Sequence, residues 1–148
     1  MSIGGSGQLQ ELQQQLQAIE AEREQLEAEI ESLQTEKREI DEAIEGLEKL
    51  ETGSTVQVPL GGDAYLRASI EDIDEVVVQL GGGYAAEETQ ERAVETLENK
   101  KDRIDDEIGD VQSEISDLEE EQTQLQQQAQ QAQQQLLQQA SQQQANEE

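Results

Sequence analysis

Two stretches of this sequence carry an almost unbroken heptad repeat, and the segment between them does not. Steps of three and four residues from Leu9 reach Leu12, Leu16, Ile19, Arg23, Leu26, Ile30, Leu33, Lys37, Ile40, Ile44 and Leu47. That is one a/d seam of the kind that packs one α-helix against another. The same steps from Val94 reach Leu97, Lys101, Ile104, Ile108, Val111, Ile115, Leu118, Gln122, Leu125, Ala129, Ala132 and Leu136. Two matched helices joined by a short insert can fold back on each other. The expected fold is α+β: a long antiparallel two-helix coiled coil with two β-hairpins inserted at one end.

A seam one residue wide is all the apolar matter the helices offer, and the only aromatic residues are Tyr65 and Tyr84. A chain of 148 residues with this composition cannot bury a broad core by itself, so oligomerisation is the expected remedy. If the helices pair with residue numbers summing to about 141, the apolar layers match throughout, as in Ile44 with Leu97, Ile30 with Val111 and Leu16 with Leu125. The same register sets Glu22 beside Glu121, Glu29 beside Glu114 and Glu36 beside Glu107. Like charges so placed destabilise by about a few tenths of a kcal/mol per pair. At about 1 M salt the Debye length falls to about 3 Å and the repulsion largely disappears. A protein made for a salty cytoplasm accounts for this, as does an acidic surface that meets a basic partner. Arg23, Lys37 and Lys101 interrupt the seam, and their stems are expected to pack while their charged ends reach flanking glutamates. They would also fix the register against the parallel alternative.

Along the chain, residues 1–7 with Gly4, Gly5, Ser6 and Gly7 read as a flexible lead, and 8–52 as the first coiled-coil helix. Thr52 and Gly53 are expected to end that helix, Gly53 as a left-handed C-cap. The period then changes from seven to two. Val56, Val58 and Leu60 alternate, Gly61-Gly62-Asp63 supplies a turn, and Leu66, Ala68 and Ile70 follow with Tyr65 on the opposite parity, which makes a hairpin. Pro59 removes one ladder donor, so its strand is an edge or pairs through its other side. A second hairpin runs from Glu75 to Leu80, through Gly81-Gly82-Gly83, to Tyr84, Ala85 and Ala86, completing a double-hairpin region over 53–86. The second helix, 87–135, starts near Thr89 as N-cap with acidic residues around its positive end. From Gln122 to Gln144 most residues are glutamine, and 136–148 are expected to fray for want of a partner helix.

The function classes that composition excludes are several. With 36 acidic and 9 basic residues the formal charge is -27, which repels nucleic acid and anionic membranes. Histidine and cysteine are absent, and the abundant carboxylates lie on solvent-facing helix surfaces where nothing raises a pKa, so no enzyme activity, metal or cofactor is expected. The Glu71, Asp72, Asp74 and Glu75 cluster lacks the spacing and glycine of a Ca²⁺ loop. The glycine run at 81–83 lacks the Gly-Lys-Ser/Thr of a phosphate loop. No apolar run reaches the roughly 20 residues of a membrane span and Met1 to Gly7 has no leader character, so a soluble, cytoplasmic protein is expected.

Two isolated hairpins would expose Val56, Val58, Leu60, Val76, Val78 and Leu80 and leave strand edges free to pair with other chains. Leu9, Leu12, Leu16, Leu125, Leu136 and Leu137 fall at the far end of the coil, where they are either ordinary seam residues or a surface for apolar clients.

The order of parts, with Val56-Gln57-Val58-Pro59-Leu60-Gly61-Gly62 opening the insert and Val76-Val77-Val78-Gln79-Leu80-Gly81-Gly82-Gly83-Tyr84 closing it, resembles the archaeal prefoldin alpha subunit, in a halophilic version. The likeness covers about residues 8–135, and two hairpins rather than one point to the alpha type. The resemblance implies a hexamer of two alpha and four beta subunits, joined by a double β-barrel platform. It also implies an ATP-independent holdase that captures unfolded polypeptides at its coiled-coil tips and passes them to a group II chaperonin. Platform residues would be Val56, Val58, Leu60, Leu66, Ile70, Val76, Val78 and Leu80, and client-binding residues the six tip leucines named above. A scaffold coiled coil oligomerised through its hairpins, with no client, and an acidic adaptor for a basic protein are the alternatives.

Overall fold

In the computed structural model, which describes residues 2–146, the chain runs as α1 (Ser2–Lys49), β1 (Thr55–Gly61), β2 (Ala64–Ser69), β3 (Val76–Gly81), β4 (Tyr84–Glu88) and α2 (Gln90–Asn146). Contacts divide it into two compact units, one of Met1–Ser32 with Ile108–Glu148 and one of Leu33–Glu107.

In both units the helices bury the residues that the heptads select. Between 7 and 50, every residue that is not exposed is one of the seam positions from Leu9 to Leu47, or Leu50. Leu12, Ile19, Val111 and Ala132 are buried in the first unit, and Leu33, Val78, Ala93 and Ile104 in the second. In the second unit Lys37 Nζ meets Asp105 Oδ1 at 2.6 Å and Lys101 Nζ meets Asp41 Oδ1 at 2.5 Å. As α1 advances from 37 to 41 its partner retreats from 105 to 101, so the helices are antiparallel and within one residue of the expected register. The lysines therefore reach aspartates on the opposite helix and not flanking glutamates, because a side chain in the seam already points across it. The hydrogen bond to Asp41, with the nearby acidic groups, raises the Lys101 pKa above its ordinary value and keeps the ammonium charged. In the first unit Arg23 pairs with Glu27 at 3.6 Å and donates to Gln122 Oε1 at 3.1 Å, while Gln122 donates to Glu20 Oε2 at 3.3 Å.

The element ends differ from expectation. Helical backbone covers the glycine-rich lead from Ser2 and continues through Asn146 past the expected boundary at 135, because helix bonds are local and continue without a facing helix. Met1, Glu147 and Glu148 lie outside the described residues. The first helix stops at Lys49 and not at 52. Gly53 (φ 90°) is not its cap but the third residue of a turn in which Ser54 N–H donates to Glu51 O at 3.0 Å. Gly53 N–H then donates to Ile70 O and Ile70 N–H to Ser54 O, extending the β1–β2 ladder. The second helix starts at Gln90, since Glu87 and Glu88 belong to β4; Thr89 is its N-cap, accepting from Arg92 N–H at 3.3 Å.

Gln90 caps α1 from a distance. Its Nε2 donates to the carbonyl oxygens of Leu47 and Leu50, the second at 2.9 Å, and its own N–H donates to Asp74 Oδ1 at 3.3 Å. Thr52 Oγ1 accepts from Ile73 N–H, which ties the linker between the hairpins to the same junction. Replacing Gln90 with alanine leaves Leu50 O without its donor and Leu47 O with only Leu50 N–H, at 3.3 Å, and is expected to cost about 1–2 kcal/mol. Denaturant unfolding, with amide exchange accelerating at 47–53 and 72–75, checks this.

Candidate assembly and client-binding surfaces

Each hairpin is an isolated two-stranded antiparallel sheet, β1–β2 and β3–β4. The two are built alike. Gly62 (φ 57°) with Asp63 (φ 61°), and Gly82 (φ 63°) with Gly83 (φ 81°), give both central turn residues positive φ, the pattern of a type I′ turn. Asp63 is the one residue other than glycine in that region among those described, and aspartate tolerates it better than most side chains do. Pairing then skips one residue, between Pro59 and Gly61 in the first hairpin and between Gln79 and Gly81 in the second. The residues skipped are Leu60 and Leu80. Both are bulge residues that point an apolar side chain into solvent, at 65% and 49% exposure. The repeated Leu-Gly-Gly twenty residues apart is the sequence signal for this device, which reading the strands by alternation alone passes over.

The expected platform residues separate into two groups. Val58, Leu60, Leu66 and Leu80 are exposed, and Val56, Ile70 and Val76 are half-buried. Val78 is buried at 6% exposure, so it is not available as an exposed platform side chain. The reason is positional: the face of β3 that carries Val78 is covered within this unit, leaving Val77 to face outward at 68%. Tyr65 and Tyr84 are exposed as well. Lys100 of α2 holds β3 in place by donating from Nζ to Gln79 O at 2.5 Å, and Thr96 Oγ1 donates to Glu88 Oε2 at 2.8 Å. Sequence reasoning missed Lys100, Gln90 and Val77 because each depends on a partner far away in the chain.

In the first unit the expected client-binding leucines are mostly seam residues. Leu12 is buried, Leu9, Leu16, Leu125 and Leu136 are half-buried, and Leu137 stands open at 66%. No group of histidine, cysteine or carboxylate side chains able to hold a metal ion occurs among the described residues, and no described helix is long and apolar enough to cross a membrane.

Comparison with known proteins agrees with this layout. A family described as "Prefoldin subunit" matches residues 12–135. "Prefoldin subunit alpha" of Haloarcula marismortui is 64% identical over 87 residues, 59% of this chain and 56% of that protein. The protein of the same description from Halobacterium salinarum strain R1 is 63% identical over 95 residues, 63% of this chain and 62% of that protein. The matches thus span about three-fifths of the length of these relatives. A solved structure described as filamentous PFD from Methanocaldococcus jannaschii superposes with a TM-score of 0.67 at 27% identity, covering 76% of this chain and 96% of that one.

Proposed function

The chain belongs to the prefoldin family, a family of chaperone subunits, with its near relatives the alpha subunits of halophilic archaea, and from that premise we propose that it is the alpha subunit of an ATP-independent holdase. Two copies would join four prefoldin beta subunits through a β-barrel platform built from the hairpins. The assembly would capture unfolded polypeptides at its coiled-coil tips and pass them to a group II chaperonin. Several flexible arms give avidity, so weak contacts at each tip hold a client without nucleotide. Its place is the cytoplasm, and it would act without cofactor, catalysis, nucleic acid or membrane. The net charge of -27 suits a cytoplasm of molar salt, where repulsion between the carboxylates is screened.

The observation that carries the reading is the match to the prefoldin subunit family over residues 12–135, which includes both hairpins and all of the two seams but their outermost positions, Leu9 and Leu136. The test is light scattering from a chemically unfolded model protein in molar KCl without nucleotide, with this chain and its beta partner added. Suppressed aggregation is the expected result, and none from a correctly assembled complex would overturn the holdase reading. The filamentous state of the Methanocaldococcus neighbour favours a second reading, a scaffold oligomerised through its hairpins with no client. Such a scaffold would assemble normally and suppress nothing.

A further inference from the structure

The seam of the first unit is interrupted at one level only. Its positions from Leu9 to Ile30 and from Ile108 to Leu136 are all apolar except Arg23 and Gln122. These two meet across the seam: Arg23 donates to Gln122 Oε1 at 3.1 Å, and Gln122 donates to Glu20 Oε2 at 3.3 Å. The seam differs on the two sides of this polar layer. On the inner side Leu26 and Ile30 are matched by Val111, Ile115 and Leu118, all large and branched. On the outer side the positions from Leu9 to Ile19 are matched by Leu125, Ala129, Ala132 and Leu136. Alanine at half of these positions means that each outer layer removes less apolar surface from water. Charge does not make up the difference, because Glu11 is the only charged residue in 7–19 and 123–146.

The layer itself parts at little cost. Arg23 already has a carboxylate on its own helix, with Nε 3.6 Å from Glu27 Oε1, and its side chain is 28% exposed. When the helices separate, Arg23 keeps that partner, while the Gln122 carboxamide and the Glu20 carboxylate exchange their bonds for bonds to water. Parting Leu26 from Leu118 instead exposes apolar surface with nothing to replace the contact. We propose that the coil opens from its free end as one unit as far as the Arg23–Gln122 layer, that the apolar seam inside the layer stops it there, and that the open form is the one that takes clients. Leu12 and Ile19 are buried in the closed form, and opening uncovers both. A ligand that binds only one form has its affinity reduced by the fraction of molecules in that form. The polar layer therefore sets the strength of capture, and a more apolar seam captures less. The inference rests on the reading of the coil tips as the client-binding surface.

Arg23→Leu with Gln122→Leu replaces the layer by two leucines, which face Leu118 and Ile19 in the register summing to about 141. The wild-type chain and this variant, each assembled with the beta subunit in molar KCl, are compared by amide exchange and by the dissociation constant for a labelled, permanently unfolded polypeptide. In the wild type, amides of 12–22 and 123–132 are expected to exchange together, at least about tenfold faster than those of 26–30 and 111–118. In the variant the outer amides slow by at least about tenfold, and the dissociation constant rises by about the same factor although the seam has gained two leucines. Wild-type protection that falls evenly toward the helix ends, with no step at the layer, would overturn the proposal, as would outer exchange that does not slow in the variant. Slower exchange with client binding unchanged or tighter would overturn the link between opening and capture while leaving the holdase reading standing. A wild-type assembly that binds no unfolded polypeptide would overturn the holdase reading itself, on which capture through the opening depends.

Discussion

Aspartate at Leu60, Leu66 and Leu80 together is expected to leave this chain folded and to abolish its assembly with other subunits. Each of the three side chains is largely exposed within the chain. Surface changes of this kind are usually worth within about 0.5 kcal/mol of folding stability. In a hairpin platform the same side chains would be covered, and covering one leucine is worth about 1.5–3 kcal/mol. Losing three such contributions weakens a subunit contact by at least about three orders of magnitude in dissociation constant. Sedimentation or native mass spectrometry in molar KCl measures it, with the helical circular dichroism unchanged as evidence that the chain is intact. A hexamer surviving the triple change would remove the hairpin faces from the interface. Val78→Asp provides the contrast. Val78 is already buried inside the chain, so a carboxylate there disrupts the second hairpin before any partner arrives.

The difference between Val77 and Val78 also shows where sequence reading stops. The heptad seams were legible residue by residue, because a helix repeats its contacts every three or four positions and the pattern needs no knowledge of the partner. Strand existence and turn positions were legible too, from alternation and from the Gly-Gly pairs. In the run Val76-Val77-Val78, however, alternation says that two side chains share a face and leaves open which face meets the rest of the unit. Burial of Val78 depends on how the hairpin lies within that unit, which the bond from Lys100 to Gln79 O helps to hold. The end of α1 was misplaced for a similar reason. Gly53 resembled a local cap, while the helix-end carbonyls are met by Gln90, forty residues further along the chain. Lys37 and Lys101 were recognised as breaks in the seam, and their aspartate partners follow from the antiparallel register once the side chains are allowed to reach across it.

The six leucines proposed to hold clients differ in what a test of them would measure. Leu137 is exposed, so Leu137→Ser is expected to reduce suppression of aggregation severalfold without moving the thermal midpoint. Leu12 is buried at 7% exposure, and it can touch a client only where the helices part. Truncating a buried leucine typically costs about 2–5 kcal/mol, so Leu12→Ser is expected to lower coil stability and holding together. Leu9, Leu16, Leu125 and Leu136 are half-buried and should fall between these limits. Light scattering beside thermal unfolding separates the two effects for each variant. If all six variants lose holding only in proportion to lost stability, these leucines are seam residues and the grip lies elsewhere. Salt supplies an independent check on the chemistry. Capture through apolar side chains should persist when KCl is raised from low to molar concentration, because dissolved salt does not screen apolar contact. Capture of a basic client by the acidic surface should weaken steeply over the same range.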